Sequence, residues 1–196
     1  MVRGVGKGIC MSDELSKSEG KLLLKLARKS LESFLLTGAR VPIPDEIPPA
    51  LENGLGAFVT LTDKQGDLRG CIGNMVAHGP LVETVREMAI AAGTSDPRFP
   101  PVDASELPEL HIEVSVISPM IPAKSSDVVP GKHGLYIRRG RNSGTLLPQV
   151  ASEYGWDRET FLDHTCAKAG LPAKAWQDKD TAIYTYTAQV FSESAK

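Results

Sequence analysis

Apolar and polar positions change their spacing along this chain, and the changes predict where helices, strands and loops lie. From Ser12 to Thr37 the apolar residues recur every three or four positions, which indicates an amphipathic helix, and Gly38 stands where a C-terminal cap would. Residues 39–54 hold four prolines, which helix interiors and central strands do not tolerate, so this stretch is predicted to be an ordered loop.

The order strand, glycine turn, strand, proline-started helix occurs twice. The first copy has strands at Ala57–Thr62 and Leu68–Met75 and a helix from Pro80 to about Ala92. The second copy has strands at Gly134–Arg138 and Thr145–Leu147, a helix opened by Pro148, and a helix from Arg158 to about Ala169. Because few residues are identical between the copies, an internal duplication and a chance similarity both stay open.

Two further segments have the character of strands. His111–Ser118 alternates residue by residue, so its apolar members share one face while His111, Glu113 and Ser115 share the other. Ala182–Phe191 is rich in residues that favour β-structure, which predicts one final strand. Long-range antiparallel pairing with segregated helices predicts an α+β fold, a mostly antiparallel sheet with helices packed on it.

Composition narrows the class of protein without naming a function. The 196 residues carry a net charge of −2 and are 41% apolar, enough for a core that needs no disulfide or metal. We expect residues 12–196 to form a single domain, with two lobes as an alternative, and residues 1–11 to be a weakly ordered extension. Three widely spaced cysteines, with no signal peptide or membrane-spanning run, favour a cytoplasmic protein.

The string LRGCIG at residues 68–73 is the most unusual in the chain. On a strand, Arg69, Cys71 and Gly73 share one face, so the guanidinium neighbours the sulfur. A nearby arginine lowers the pKa of a thiol, which predicts that Cys71 is a thiolate nucleophile or a soft ligand. Gly70 and Gly73 mark a place where a ligand or another backbone comes close. The alternative is that Cys71 is a small buried residue, as free cysteines often are.

Other side chains have the functional groups for catalysis or binding at Cys71. His111 and Glu113 could act as a general base and its orienting carboxylate if their strand lies next to Cys71; otherwise they line the solvent side of a half-covered sheet. In the stiff string DPRFPP at residues 96–101, Arg98 has the rigid fork to hold an anionic group. No histidine is spaced from another histidine or a cysteine as close metal ligands are, so no metal or cofactor is expected.

A basic patch formed by Arg138, Arg139 and Arg141 stands at the tip of a predicted hairpin. It could contact phosphate, but a single patch on a chain of net charge −2 is more typical of a solvated turn. Nucleic-acid binding is therefore the function we rank last.

Five strings together resemble the AMMECR-one domain family, whose prokaryotic members are called AmmeMemoRadiSam system protein A. They are LRGCIG at 68–73, DPRFPP at 96–101, IEVSV at 112–116, HGL at 133–135 and LPQVA at 147–151. The similarity covers about residues 15–193 and departs from the family before Asp96, at residues 93–95. The resemblance implies an intracellular α+β domain with duplicated substructure, association with Memo-like and radical SAM proteins, and no reaction that can be carried over.

The leading hypothesis, which rests on the resemblance, is an accessory or binding protein that presents a cleft around Cys71 to Memo-like or radical SAM partners. Its expected binding residues are Arg69, Gly70, Gly73, Asp96, Arg98 and His133. The rival hypothesis is an enzyme that uses Cys71 as nucleophile with His111 or Glu113 as base.

Overall fold

The structure, a computed structural model, describes residues 14–193, so the extension predicted at residues 1–11 lies outside the described residues. The helices are α1 (Lys17–Thr37), α2 (Pro49–Glu52), α3 (Leu81–Thr94), α4 (Pro148–Glu153) and α5 (Arg158–Lys168). The strands are β1 (Gly56–Thr62), β2 (Leu68–Asn74), β3 (His111–Ile117), β4 (Ile121–Pro122), β5 (Gly134–Arg139), β6 (Asn142–Leu146), β7 (Ala182–Tyr186) and β8 (Ala188–Ser192). Short 3-10 helices lie at Ala104–Glu109, Ser125–Asp127 and Ala175–Gln177.

The strands form two antiparallel sheets. Sheet A has the strand order β2-β1-β3-β8, and sheet B has the order β4-β7-β5-β6. Helices α1 and α3 pack on sheet A, and α5 packs on sheet B. The predicted α+β class, with mostly antiparallel strands and helices packed on them, is confirmed.

The first helix begins later than its apolar spacing predicts, at Lys17 rather than Ser12. Ser16 is its N-cap: the Ser16 hydroxyl accepts the backbone N–H of Glu19, and the Glu19 carboxylate accepts the backbone N–H of Ser16. Gly38 ends the helix with φ of 74°, a left-handed conformation that glycine adopts without strain. The capping box therefore sets the start of α1, and the glycine sets its end.

The predicted single strand over 182–191 is two strands. Thr187 separates β7, which belongs to sheet B, from β8, which belongs to sheet A. Thr187 leaves the strand geometry because its N–H donates to the Ser118 hydroxyl and its carbonyl accepts the Ser118 N–H. The chain therefore crosses from sheet B to sheet A at Thr187, and the β-propensity of this residue does not predict the break.

Two clusters of buried apolar side chains fill the space between helices and sheets. The larger lies between sheet A and helices α1 and α3, and includes Leu31, Val59, Leu61, Val85, Ile112 and Val114. The smaller lies between sheet B and α5, and includes Leu135, Ile137, Phe161, Leu162, Cys166 and Ile183. Each sheet thus contains a hairpin whose chain continues into a covering helix, in the order that the sequence predicts twice.

Candidate functional site

Helices α1 and α3 cover one face of sheet A, and the opposite face carries half-buried side chains. A row of paired residues crosses this face: Cys71 on β2 is opposite Thr60 on β1, Thr60 is opposite Glu113 on β3, and Glu113 is opposite Ser192 on β8. Cys71, Thr60 and Glu113 are half-buried, and Ser192 is exposed. We call this set the Cys71 row, and the side of the sheet that bears it the open face of sheet A.

Cys71 is half-buried on this face. The Thr60 hydroxyl donates to Cys71 Sγ at 3.3 Å. Both flanking glycines are required by packing: a Cβ on Gly70 would overlap the carbonyl oxygen of Ala92 in α3, and a Cβ on Gly73 would overlap the ring of Phe58. The close approach that the glycines predict is therefore made by a helix backbone on one face of β2 and by an aromatic ring on the other.

Asp96 and Arg98 fix the backbone of Cys71 at the outer edge of sheet A. Cys71 donates its N–H to Asp96 Oδ2 at 2.8 Å, and its carbonyl accepts Arg98 Nη2 at 3.3 Å. Because β2 is an edge strand, these side chains take the hydrogen bonds that a neighbouring strand would otherwise make. The Asp96 side chain is only 2% exposed.

The Arg98 guanidinium is bound to the same carboxylate, with Nε 2.9 Å from Asp96 Oδ1 and Nη2 2.7 Å from Oδ2. These bonds, with the N–H groups of Cys71 and Arg98, hold the pKa of Asp96 well below its usual range. The Arg98 side chain is still 52% exposed. Its fork is thus occupied by an internal anion, and binding of an external anion by Arg98 stays a prediction.

Arg69 does not donate to the thiol of Cys71. Its Nε and Nη2 bind both oxygens of Glu106 at 2.7 and 2.9 Å, and Nη1 donates to the Pro100 carbonyl at 3.0 Å. The same pairing lowers the pKa of Glu106. Arg69 therefore ties β2 to the 3-10 helix Ala104–Glu109, and a role in substrate binding stays a prediction.

The structure does not bring the predicted general bases into contact with Cys71. Glu113 lies two strands away, about 10 Å at the usual strand spacing, whereas proton abstraction needs hydrogen-bond reach or one bridging water. His111 is opposite Thr62, and its Nε2 donates to the Glu193 carbonyl at 2.6 Å. His133, a predicted binding residue, also lies away from Cys71. It precedes β5 of sheet B, and its Nδ1 accepts the Val129 N–H.

Helix α4 borders the open face of sheet A, which the sequence patterns do not reveal. Gln149 Nε2 donates to the buried Ser115 hydroxyl at 3.3 Å. Burial, and then the nearby charge of Glu153, raise the pKa of Glu113. Gln149 lies in the string 147–151, which contributes to the family resemblance. No spacing along the sequence, however, predicts that Gln149 or Thr60 lies at this face.

Two cavities lie away from the Cys71 row. The larger, of about 390 Å³, is lined by Ser125, Asp157, Arg158, Leu162 and Trp176 among others. The smaller, of about 150 Å³, is lined by Asn74, His78 and Glu83 among others.

Within residues 14–193, no three His, Cys, Asp or Glu side chains are grouped so that they could hold a metal ion. None of the helices in that range has both the length and the apolar content that crossing a membrane requires.

The fold and this face define an α+β protein of two antiparallel sheets, one of which carries a half-buried cysteine whose backbone is fixed by a buried carboxylate. The AMMECR1 family model matches residues 24–191, so the chain belongs to the AMMECR1 family. This confirms the resemblance that the sequence strings carry.

Relatives and a solved structure agree with that assignment over nearly the whole chain. A Methanothermobacter thermautotrophicus protein is 44% identical over 91% of this chain and 96% of its own length. Protein MK0488 of Methanopyrus kandleri is 46% identical over 93% of this chain and 92% of its own length. The crystal structure of PH0010 from Pyrococcus horikoshii, described as an uncharacterized protein, is 42% identical with a TM-score of 0.88, over 92% of this chain and 94% of that one.

Proposed function

We propose that this AMMECR1-family chain is a cytoplasmic accessory or binding protein that receives a partner on the open face of sheet A around Cys71. The observation that carries the proposal is the environment of Cys71. Asp96 and Arg98 hold its backbone, while the residue is only half-buried and its thiol accepts a hydrogen bond from Thr60. A site held in place before binding loses less conformational freedom when the partner arrives.

The partners, Memo-like and radical SAM proteins, are those that the family resemblance implies. The open face has polar and apolar groups that can contact the surface of such a protein. Thr60, Glu113 and Ser192 offer hydrogen bonds, and the half-buried ring of Phe58 offers an apolar contact. We further propose that residues 12–196 form one domain with two lobes, each built on one sheet.

Co-purification of the full chain with a co-expressed radical SAM or Memo-like partner tests this function. Ser192 is exposed at the end of the Cys71 row, so Ser192→Arg places a bulky charge on the open face. Ser126→Arg is the matched control, because Ser126 is exposed in the short 3-10 helix between β4 and β5 of sheet B, outside the open face of sheet A. We expect the wild type and the control to retain the partner and Ser192→Arg to lose it. Failure of the wild type with both partner classes, or equal retention by the two variants, overturns the proposal.

The rival function is catalysis by a Cys71 thiolate, with His111 or Glu113 as base. Among residues 14–193 the thiol has no hydrogen bond to a basic side chain, which favours binding over nucleophilic catalysis. The rate of iodoacetamide labelling against pH, measured in a Cys10→Ser background with Cys71→Ser as the blank, decides between them. Labelling that begins only near pH 8.5, as for an ordinary cysteine, removes the nucleophile hypothesis.

From the sequence, nucleic-acid binding through a patch of Arg138, Arg139 and Arg141 ranks last, and these three arginines do not form one free patch. Arg139 donates to the Asp178 carboxylate, whereas Arg138 and Arg141 are exposed. Binding that did not weaken with added salt would remove phosphate contact as its basis.

A further inference from the structure

One face of sheet B packs on α5, and the opposite face is open. Leu135, Ile137 and Ile183 point to α5 and are buried. Because side chains alternate along a strand, their neighbours point the other way. This second surface, which we call the tyrosine face, includes Tyr136, Arg138, Ser143, Thr145 and Tyr184.

Two tyrosines stand side by side at the centre of the tyrosine face. Tyr136 on β5 is opposite Tyr184 on β7, and these are the two central strands of sheet B. The ring centroids are 6.0 Å apart with an angle of 57° between the ring planes. Both side chains are partly exposed, and neither hydroxyl has a hydrogen-bond partner within the part of the chain that the structure describes.

A third tyrosine closes one end of this surface. Tyr186 lies on the same side of β7 but is only 2% exposed, with its hydroxyl bonded to Thr145 and to the Leu146 carbonyl. Burial raises the pKa of Tyr186 to about 12. The accessible rings are therefore those of Tyr136 and Tyr184.

Positive charge lies at the other end. Arg138 follows Tyr136 on the same face, opposite Ser143, and Arg141 lies in the adjoining hairpin turn. Both are exposed, and neither forms an ion pair with another residue in the range 14–193. Arg139, which points to the α5 side, is the arginine that pairs with Asp178. The charge left free on the hairpin thus adjoins the tyrosines.

We propose that the tyrosine face binds single-stranded nucleic acid, with bases stacked on Tyr136 and Tyr184 and phosphates held by Arg138 and Arg141. Aromatic rings on the central strands of an open four-stranded sheet accept unpaired bases, because every base has a π-face. Ser143 and Thr145 flank the rings on β6, and serine is depleted at the centre of protein–protein interfaces. This site is separate from the Cys71 row and does not depend on it.

Fluorescence anisotropy of the full chain with labelled random-sequence 12-nucleotide strands, of RNA and of DNA, tests the proposal. We expect binding at low salt that falls as salt rises. Replacing either ring with leucine, Tyr136→Leu or Tyr184→Leu, should weaken binding about tenfold, while Tyr136→Phe and Tyr184→Phe should retain it. Tyr154→Leu is the matched control, because Tyr154 is 69% exposed but stacks on Trp156, outside the tyrosine face.

Arg138→Gln supplies a second measurement that does not disturb the half-buried rings. It should weaken binding to all sequences and reduce the slope of log affinity against log salt by about 0.7, the contribution of one phosphate contact on a single strand. Circular dichroism confirms that each variant is folded. The proposal is overturned if the wild type binds neither RNA nor DNA strands, as expected if the face binds a protein, or if the leucine variants bind as tightly as the wild type.

Discussion

The carboxylate of Asp96 joins three separate groups at the edge of sheet A. It accepts the N–H of Cys71, the N–H of Arg98 and the Arg98 guanidinium, and its side chain is almost fully buried. Hydrogen bonds to a buried charged group each contribute about 1.5–3 kcal/mol, and the unpaired partners add a desolvation penalty when the charge is removed.

We predict that Asp96→Asn lowers the free energy of unfolding by about 2 kcal/mol at pH 7, because an amide cannot accept all of these bonds. Urea unfolding followed by circular dichroism measures the change. Asp45→Asn is the control: Asp45 is exposed in the loop after α1 and should alter stability by no more than about 0.5 kcal/mol. Equal stability of the two variants would contradict the structural role of Asp96.

The pKa shifts of Asp96 and Glu113 predict opposite dependences of stability on pH. The pKa of Asp96 is lowered in the fold, so its stabilisation is complete above the ordinary aspartate range near pH 4 and is lost as pH falls below it. The difference between wild type and Asp96→Asn should therefore shrink as pH is lowered from 7 toward 3. A constant difference over this range would contradict the ionised state of Asp96.

The pKa of Glu113 is raised by burial and by Glu153, so its charge opposes folding at neutral pH. We predict that Glu113→Gln raises the urea midpoint at pH 7.5, and that the gain shrinks as pH falls through the raised pKa, where Glu113 becomes neutral. Glu46→Gln, exposed in the loop after α1, is the control and should leave the midpoint unchanged. A lower midpoint for Glu113→Gln would show that the carboxylate is stabilising.

At the scale of elements, β2 and α3 approach each other so closely that only glycine fits between them. A Cβ on Gly70 would overlap the backbone carbonyl of Ala92, which cannot rotate away. We predict that Gly70→Ala lowers the free energy of unfolding by about 3 kcal/mol. Gly54→Ala is the control, since its new Cβ would meet the nearest atom at 3.4 Å, an ordinary contact. Similar unfolding midpoints would exclude this close approach.

Local sequence patterns predict the ends of some elements, whereas the ends of others depend on pairing with distant segments. The capping box at Ser16 and the glycine at 38 act within one or two helical turns, so α1 and its C-terminus follow from nearby residues. The break at Thr187 between β7 and β8 depends on Ser118, 69 positions away. Thr187 is itself a β-branched residue that favours strands, so its pairing partner, not its propensity, places the break there.

At the scale of the whole molecule, the chain completes sheet B before it returns to complete sheet A. Strand β8 pairs with β3 of sheet A and follows β7 of sheet B after one residue. A single residue therefore connects the last strands of the two sheets. Both tryptophans, Trp156 and Trp176, pack against the smaller cluster. Tryptophan fluorescence therefore monitors the sheet B lobe, while far-ultraviolet circular dichroism monitors both.

We predict that the two signals give one coincident urea transition, as expected for a single domain with two lobes. Phe161→Ala, at a fully buried position in the smaller cluster, should lower stability by about 3–5 kcal/mol and move both signals together. Separate midpoints, with only the fluorescence transition shifted by Phe161→Ala, would mean that the lobes unfold independently.

The sequence by itself determined the α+β class, most element positions and the family. These depend on apolar periodicity, caps and strand alternation, which act over a few residues. Alternation also placed Arg69, Cys71 and Gly73 on one face of a strand, and His111 with Glu113 on another.

The tertiary structure alone decided which of those residues meet. It bound Arg69 to Glu106, 37 positions away, and Cys71 to Asp96, and it set Glu113 two strands from the thiol. It also brought Tyr136 beside Tyr184 across sheet B. Hydrogen bonds and packing between distant segments are fixed by strand order and register, and no local spacing along the chain encodes either of them for this protein.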